Sequence, residues 1–311
     1  MSSSEADDQA EIRTDESPRY KVQLVIPAGR KRYMDVLVPQ ILKQPGWDEL
    51  RIWVNTRNED DLRYLDGLPR IDNRISLALP REHQPDGNKT IGQFFKDCIA
   101  SDTLYIRLDD DICYLEPGAI ERLAQYRATH EDPFLVSPIV INNALFSYIF
   151  QVLGKIRLDA RLTANCLDPL AWRNPGFAES IHNLFLSAVS ENKIDHFKFT
   201  SRPIAINRFS INCISWLGSE FKKFGGNVPY GEDEEEFLSV TKPTQLGKPN
   251  HFFGECVVAH FAYYTQREYL DKTDILERYK ALCAGPDCLD KALQSSPPLA
   301  WHEPGGLRWL C

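Results

Sequence analysis

Between Tyr20 and Leu108 the chain switches repeatedly between two apolar periods, and this alternation restricts its folds more than any other feature. "YKVQLVIPAG", from Tyr20, reads as a buried strand ended by Pro27 and Gly29, and "RYMDVLVPQILKQPG", from Arg32, reads as a helix stopped at Pro45-Gly46. "LRIWVNT" is a second strand with a helical "EDDLRYLDGL" behind it. "RISLAL" is a third strand, "IGQFFKDCIA" a helix and "TLYIRL" a fourth strand. Strand and helix in turn predict βαβ crossovers, hence an α/β fold with a Rossmann-like, mainly parallel sheet flanked by helices. Ligands of such sheets collect beyond the carboxyl ends of the strands. The loops after Ile26, Trp53 and Leu108 are therefore expected around one crevice.

The rest of the chain is read more coarsely. Residues 1–18 are polar and acidic without an apolar period, which predicts a disordered acidic tail. "EPGAIERLAQYRATH" reads as a helix and "PFLVSPIVIN" as a strand, and 144–200 as a mostly helical insertion. "FSINCISW" resumes strand character, Gly225-Gly226 opens a loop, "GEDEEEFLSVTKP" starts a helix and "GECVVAHFAYY" is a last strand. Residues 271–311 are expected as a C-terminal helix and an irregular segment, the part from about Pro286 packing irregularly or forming a lid. The most apolar run, "ALFSYIFQVLG" from Ala144, is too short for the roughly 20 residues of a bilayer span. It reads as a buried helix or a cover over a pocket, with peripheral membrane contact as the alternative. No transmembrane segment is expected.

The fourth strand runs straight into Asp109, Asp110 and Asp111 in "YIRLDDDICYL". By period two, Tyr105, Arg107 and Asp109 share one face, so Asp109 and Asp111 converge if the turn continues the alternation. Close carboxylates raise each other's pKa unless a cation holds them ionised. A divalent metal also bound to a diphosphate fits, because Mg²⁺ and Mn²⁺ take few protein oxygens together with phosphate and water. The plainer alternative is a solvated turn.

A formal charge of -8 without a Lys/Arg-rich run excludes a general nucleic-acid binder. The cysteines, 8 in all, lie without CxxC spacing and without a preceding secretory stretch, which predicts mostly reduced thiols and a cytoplasmic protein. A bridge between Cys283 and Cys288, or Cys288 and Cys311, is the alternative for a secreted form.

Together these features resemble the GT-A class of nucleotide-sugar-dependent glycosyltransferases, the family with an Asp-x-Asp motif. The resemblance runs from about Lys21 to Tyr269. It is carried by the opening strand ending in Pro27 with Arg30 and Arg32 just after it, by "LDDDI", by "GED" at the start of a late helix, and by "AHFAYY". It implies a GT-A domain over 19–270 that includes the 144–200 insertion, with Mn²⁺ or Mg²⁺ as cofactor. Asp111 would bind the metal directly, Asp109 would reach the metal or the ribose through water, and His260 would complete the metal shell. The loop from Pro27 to Arg32 would line the nucleotide, with Asp110 beside it. Asn55, Arg57, Asp60 or Asp61 would recognise base or ribose, and Lys89 and Arg107 would contact diphosphate or sugar. Structural readings stand beside these: His260 as a hydrogen-bonded core histidine, Arg30 and Arg32 as surface charges at a helix start, Cys113 as an incidental core thiol.

The second acidic cluster, "GEDEEEFL", has a capping reading, since Asp233 and Glu236 have capping-box spacing and acids in a first turn complement the helix dipole. An inverting sugar transfer also needs a carboxylate to take the acceptor's proton. In GT-A relatives a Glu-Asp pair after a glycine-containing loop does this, and "KKFGGNVPYGED" has that form. The resemblance thus makes Asp233 the base, with Glu232 orienting acceptor hydroxyls. Among Trp216, Tyr230, Tyr263 and Tyr264, one or two are expected against a sugar face. The expectation is a metal-dependent glycosyltransferase acting on a nucleotide-sugar donor, UDP on family grounds, and a glycan or glycoconjugate acceptor, with inversion. Alternatives are a retaining transferase, a nucleotidyltransferase, although "IPAGRKRY" has only one glycine, and a non-catalytic nucleotide- or metal-binding protein.

Overall fold

The structure, a computed structural model, describes residues 20–80, 86–204 and 207–282. The expected tail, the bridges among Cys283, Cys288 and Cys311, and the segment from Pro286 lie outside the described residues. The opening alternation forms β1 (Lys21–Ala28), α1 (Lys31–Lys43), β2 (Glu49–Val54), α2 (Glu59–Gly67) and β3 (Ile75–Ala78). Two 3₁₀ stretches, Gly87–Lys89 and Ile91–Asp97, then lead to β4 (Thr103–Leu108). The second of these was expected as an ordinary helix. Its tighter winding sends neighbouring rings to different partners, Phe94 against Trp53 and Phe95 against Trp216 and Phe221.

Next come β5 (Ile112–Leu115), α3 (Ala119–Thr129) and β6 (Val136–Ile141). The insertion supplies α4 (Ala144–Val152) and α5 (Pro175–Ser190), followed by β7 (Arg202–Ile204), β8 (Cys213–Leu217) and α6 (Gly218–Lys222). The acidic helix is α-helical over Glu234–Glu236 (α7), a π-turn over Phe237–Thr241, and α-helical again over Lys242–Leu246 (α8). β9 (Asn250–His260), α9 (Tyr264–Leu270) and α10 (Ile275–Leu282) complete the described chain. The apolar run of α4 is core, burying Leu145, Phe146, Ile149 and Phe150. No helix among the described residues is long and apolar enough to cross a membrane. Cys98, Cys113, Cys166, Cys213 and Cys256 are buried and unbridged.

The strands form one mixed, mostly parallel sheet in the order β3-β2-β1-β4-β8-β6-β9-β5, with β7 also on β9. β3, β2, β1 and β4 are parallel, as the alternation predicts, and β6 and β9 are parallel to each other. β8 runs antiparallel between β4 and β6, and β5 antiparallel to β9. This order forces the sheet to curl. From Leu108 to Ile112 an extended chain spans at most about 14 Å, whereas β4 and β5 stand four strand spacings apart, about 19 Å in a flat sheet. The acidic turn can join them only because the sheet bends over it.

The outer edge of β5 is covered by α1. Gln40 donates to the Cys113 carbonyl at 2.9 Å and accepts from the Leu115 N–H at 2.8 Å, so a side chain satisfies backbone groups that an edge strand would leave open. Behind the end of β9, His182 of α5 is fully buried. Its Nε2 lies 2.9 Å from the Phe261 carbonyl, which can only accept, so Nε2 carries the proton and Nδ1 accepts from the Tyr279 hydroxyl at 2.8 Å. Burial pushes the His182 pKa down from 6.5 to about 4.

A depressed histidine pKa means that the unfolded chain takes up its proton first as the pH falls, so stability present above pH 6.5 is lost towards pH 4. The unfolding free energy of the wild type minus that of His182→Gln should therefore shrink by about 3 kcal/mol between pH 7 and pH 4. Urea titrations at each pH check this, and a pH-independent difference would refute it.

Candidate functional site

The strand ends β1, β4 and β9 and the turns after them surround a cavity of about 630 Å³. Its floor is the acidic turn. Asp109 follows β4 with its N–H on the Asn212 carbonyl at 2.8 Å and its carboxylate accepting from Asn212 Nδ2 at 3.0 Å and Arg107 at 2.8 Å. Asp110 turns the other way, towards β1, where the Gly29 N–H donates to it at 3.0 Å and Arg30 bonds it through Nε and Nη2. On its other side Gly29 packs against the loop after β2, where a Cβ would lie 2.7 Å from the Asn55 carbonyl oxygen. Asp111 returns to the face of Asp109, and the pairing of β5 with β9 sets it beside His260.

Asp110 and Asp111 are 4% and 2% exposed, and such burial of two neighbouring carboxylates needs compensating charge. Arg30 Nη2 lies 3.0 Å from Asp111 as well as against Asp110. Arg267, from α9, reaches the same Asp111 oxygen at 3.3 Å. Burial alone would raise the Asp111 pKa, but Arg30, His260 and Arg267 outweigh it and hold the carboxyl well below its ordinary value. For Asp110 burial prevails over Arg30, Asp111 adds repulsion, and the pKa is raised. Three guanidinium nitrogens around the turn are buried without an acceptor: Arg30 Nη1, Arg107 Nε and Arg267 Nε. All three arginines line the cavity.

Asp109, Asp111 and His260 each offer a ligand atom, all within 4.8 Å of one another. The Asp111 oxygen facing His260 Nε2, at 3.4 Å, is the one that no arginine touches. Donors about 2.1 Å from a shared octahedral ion stand about 3 Å apart, so this pair needs only a small closure. His260 Nδ1 faces the Asn142 carbonyl at 3.5 Å, which leaves the Nε2 lone pair for a metal. Asn142 itself has φ of 56°, an uncommon conformation held by bonds from its amide to the Phe261 carbonyl at 2.9 Å and Gln266 at 3.0 Å. The residues present fit a divalent ion.

The remaining candidates divide. Pro27, Lys89, Arg107, Glu232 and Asp233 line the cavity. Arg32 does not, pairing instead with Asp271 at 2.7 Å. Asn55 bonds the Gly87 carbonyl at 3.4 Å, Arg57 is exposed, Asp60 pairs with Arg63, and Asp61 accepts from the Lys31 N–H at 2.8 Å; none lines this cavity. Trp216 is core, stacked on Tyr105. Tyr230 is exposed at a smaller neighbouring cavity, while Tyr263 and Tyr264 reach the main one and pack against Trp172 of the insertion.

In the second acidic cluster, Asp233 caps α7, accepting from the Glu236 N–H at 3.1 Å, and its other oxygen accepts from Arg208 at 2.8 Å. Glu234 was not singled out in the sequence. It is buried, with one oxygen on Arg107 and the other, Oε2, without a partner. Burial, opposed by Arg107 and aided by Asp109, Glu235 and Asp233, pushes its carboxyl up to about 7. Arg208, Arg267, Asn212 and Trp172 also escaped sequence reading, having no motif to mark them.

No protein-family model matches the chain, and no curated protein matches it. Solved structures of similar architecture include GalNAc-T7 with UDP, GalNAc and Mn²⁺, 12% identical, TM-score 0.47, covering 83% of this chain and 47% of that one. The mannosyltransferase PcManGT from Pyrobaculum calidifontis in complex with GDP-Man and Mn²⁺ is 13% identical, TM-score 0.47, covering 89% and 70%. CMP:2-keto-3-deoxy-manno-octonic acid synthetase complexed with CTP is 13% identical, TM-score 0.44, covering 84% and 98%.

Replacing Asp111 by Asn removes the one carboxylate that borders both the arginines and His260. Mn²⁺ affinity measured by titration calorimetry should fall more than about tenfold, and an unchanged affinity would place the ion elsewhere.

Proposed function

We propose that the protein is a metal-dependent glycosyltransferase that moves a sugar from a nucleoside diphosphate sugar, UDP being first choice, to a hydroxyl of a glycan or glycoconjugate acceptor, with inversion. One observation carries this reading: a two-carboxylate, one-imidazole donor set stands in the cavity that Arg30 and Arg267 also line, and each of these arginines keeps a buried nitrogen without an acceptor. The first suits a divalent cation and the second suits phosphate oxygens, and a nucleoside diphosphate with its metal needs both. Held by Asp109, Asp111 and His260, the ion would offset charge developing on the leaving diphosphate.

The chain's own groups account for the remaining steps. Arg30 and Arg267 donate to phosphate oxygens and orient the donor. The wall of Trp172, Tyr263 and Tyr264 offers apolar faces to a sugar ring and keeps water from the anomeric carbon. The acceptor oxygen bonds to that carbon as the bond to the diphosphate breaks, and a carboxylate receives the hydroxyl proton. Asp233, with Glu232 orienting the acceptor, is the first choice, and the acceptor would displace Arg208 from it. Glu234 is the second choice, because its Oε2 has no partner.

The test is a transfer assay over a panel of nucleotide sugars with and without Mn²⁺. Transfer should require the ion, and either Asp233→Asn or Glu234→Gln should lower kcat by about 10²–10⁴-fold with nucleotide binding retained. Nucleotide binding without turnover, indifferent to both substitutions, would make the protein a binding module.

A further inference from the structure

We propose that Arg30 serves as a built-in stand-in cation for the acidic turn and transfers its hydrogen bonds to the diphosphate when metal binds, so that metal and nucleotide enter cooperatively. This rests on the function proposed above and concerns how its site is loaded. Three consecutive carboxylates are faced by three guanidinium groups, from Arg30, Arg107 and Arg267. Arg30 and Arg267 thus already offset charge on Asp110 and Asp111 without a metal, while Arg107 is shared between Asp109 and Glu234. A divalent ion arriving alone would face the attraction of the carboxylates largely cancelled by these cations, Arg30 bridging Asp110 and Asp111 directly.

A diphosphate changes that balance. It brings negative oxygens to a cavity where Arg30 Nη1 and Arg267 Nε are buried donors without acceptors. Buried unpaired donors are costly, so an anion that satisfies them is favoured. Once Arg30 turns to phosphate, Asp110 and Asp111 lose a counter-charge, and the metal beside Asp111 replaces it. Each ligand thus removes an obstacle to the other, a coupling that is reciprocal by linkage. Arg107 takes no part, being committed to Asp109 on one side and Glu234 on the other. Arg267 is the weaker partner of Asp111, at 3.3 Å against 3.0 Å for Arg30.

The decisive variant is Arg30→Met, studied as the full chain without nucleotide. Titration calorimetry with MnCl₂ alone should show binding on the order of tenfold tighter than in the wild type. The rise in melting temperature at a given Mn²⁺ concentration should be correspondingly larger, because tighter binding to the folded state stabilises it more. With Mn²⁺ present, the affinity of Arg30→Met for UDP should fall on the order of tenfold. Arg30→Gln, which retains donors for Asp110 but no charge, must show the same tightening towards Mn²⁺ and guards against a folding defect in Arg30→Met. Equal or weaker Mn²⁺ binding in folded variants would overturn the stand-in role and leave the proposed function untouched. A wild type that binds neither Mn²⁺ nor UDP would overturn the function instead.

Discussion

The whole arrangement depends on keeping three adjacent carboxylates at a buried strand end. Unpaired, Asp110 and Asp111 would each cost several kcal/mol at that depth. Their compensation comes from two places distant in sequence, Arg30 just ahead of α1 and Arg267 on α9, while Arg107 on β4 pairs with the adjoining Asp109. β1, β4, β9 and the helices that follow must therefore meet at one point, and the bent sheet is what lets them. β5, only four residues long, has a large part in this because its pairing with β9 brings His260 to Asp111.

The same constraint shapes the cavity. Acids and arginines that neutralise one another also leave donors and acceptors with unused capacity, on residues that line the cavity. In the reading proposed, charge that holds the empty site together is redistributed when metal and diphosphate arrive. The insertion supplies Trp172 and Leu167 to the cavity wall, and α7 brings its first-turn acids to the same cavity. Capping and chemistry are compatible there: one oxygen of Asp233 caps α7 while the other lies on Arg208.

Much of the fold was legible because it is local. Strand and helix periods over Tyr20–Leu108 reproduce β1 to β4 and their parallel pairing. Period two along β4 anticipated that Asp109 and Asp111 converge if the turn continues the alternation, and the two do come together beside His260; that Asp110 turns to the Gly29 N–H was not read from the sequence. What sequence could not supply was long-range. β5 is too short and too close to the acids to carry a period of its own, and nothing in "FSINCISW" says that it lies antiparallel between β4 and β6. Arg30 and Arg32 look equivalent in the sequence, but Arg30 is the extended residue ahead of α1 and faces the acids, while Arg32 lies within the helix and turns to Asp271. Arg267 and Glu234 gain their significance only from tertiary neighbours.

The most direct measurement is a crystal structure of the protein grown with MnCl₂ and UDP, with anomalous scattering recorded at the manganese edge. The account predicts a single strong peak bonded to Asp109, Asp111 and His260, with Arg30 on the diphosphate. Arginines still seated on Asp110 and Asp111, and no manganese between Asp111 and His260, would contradict it.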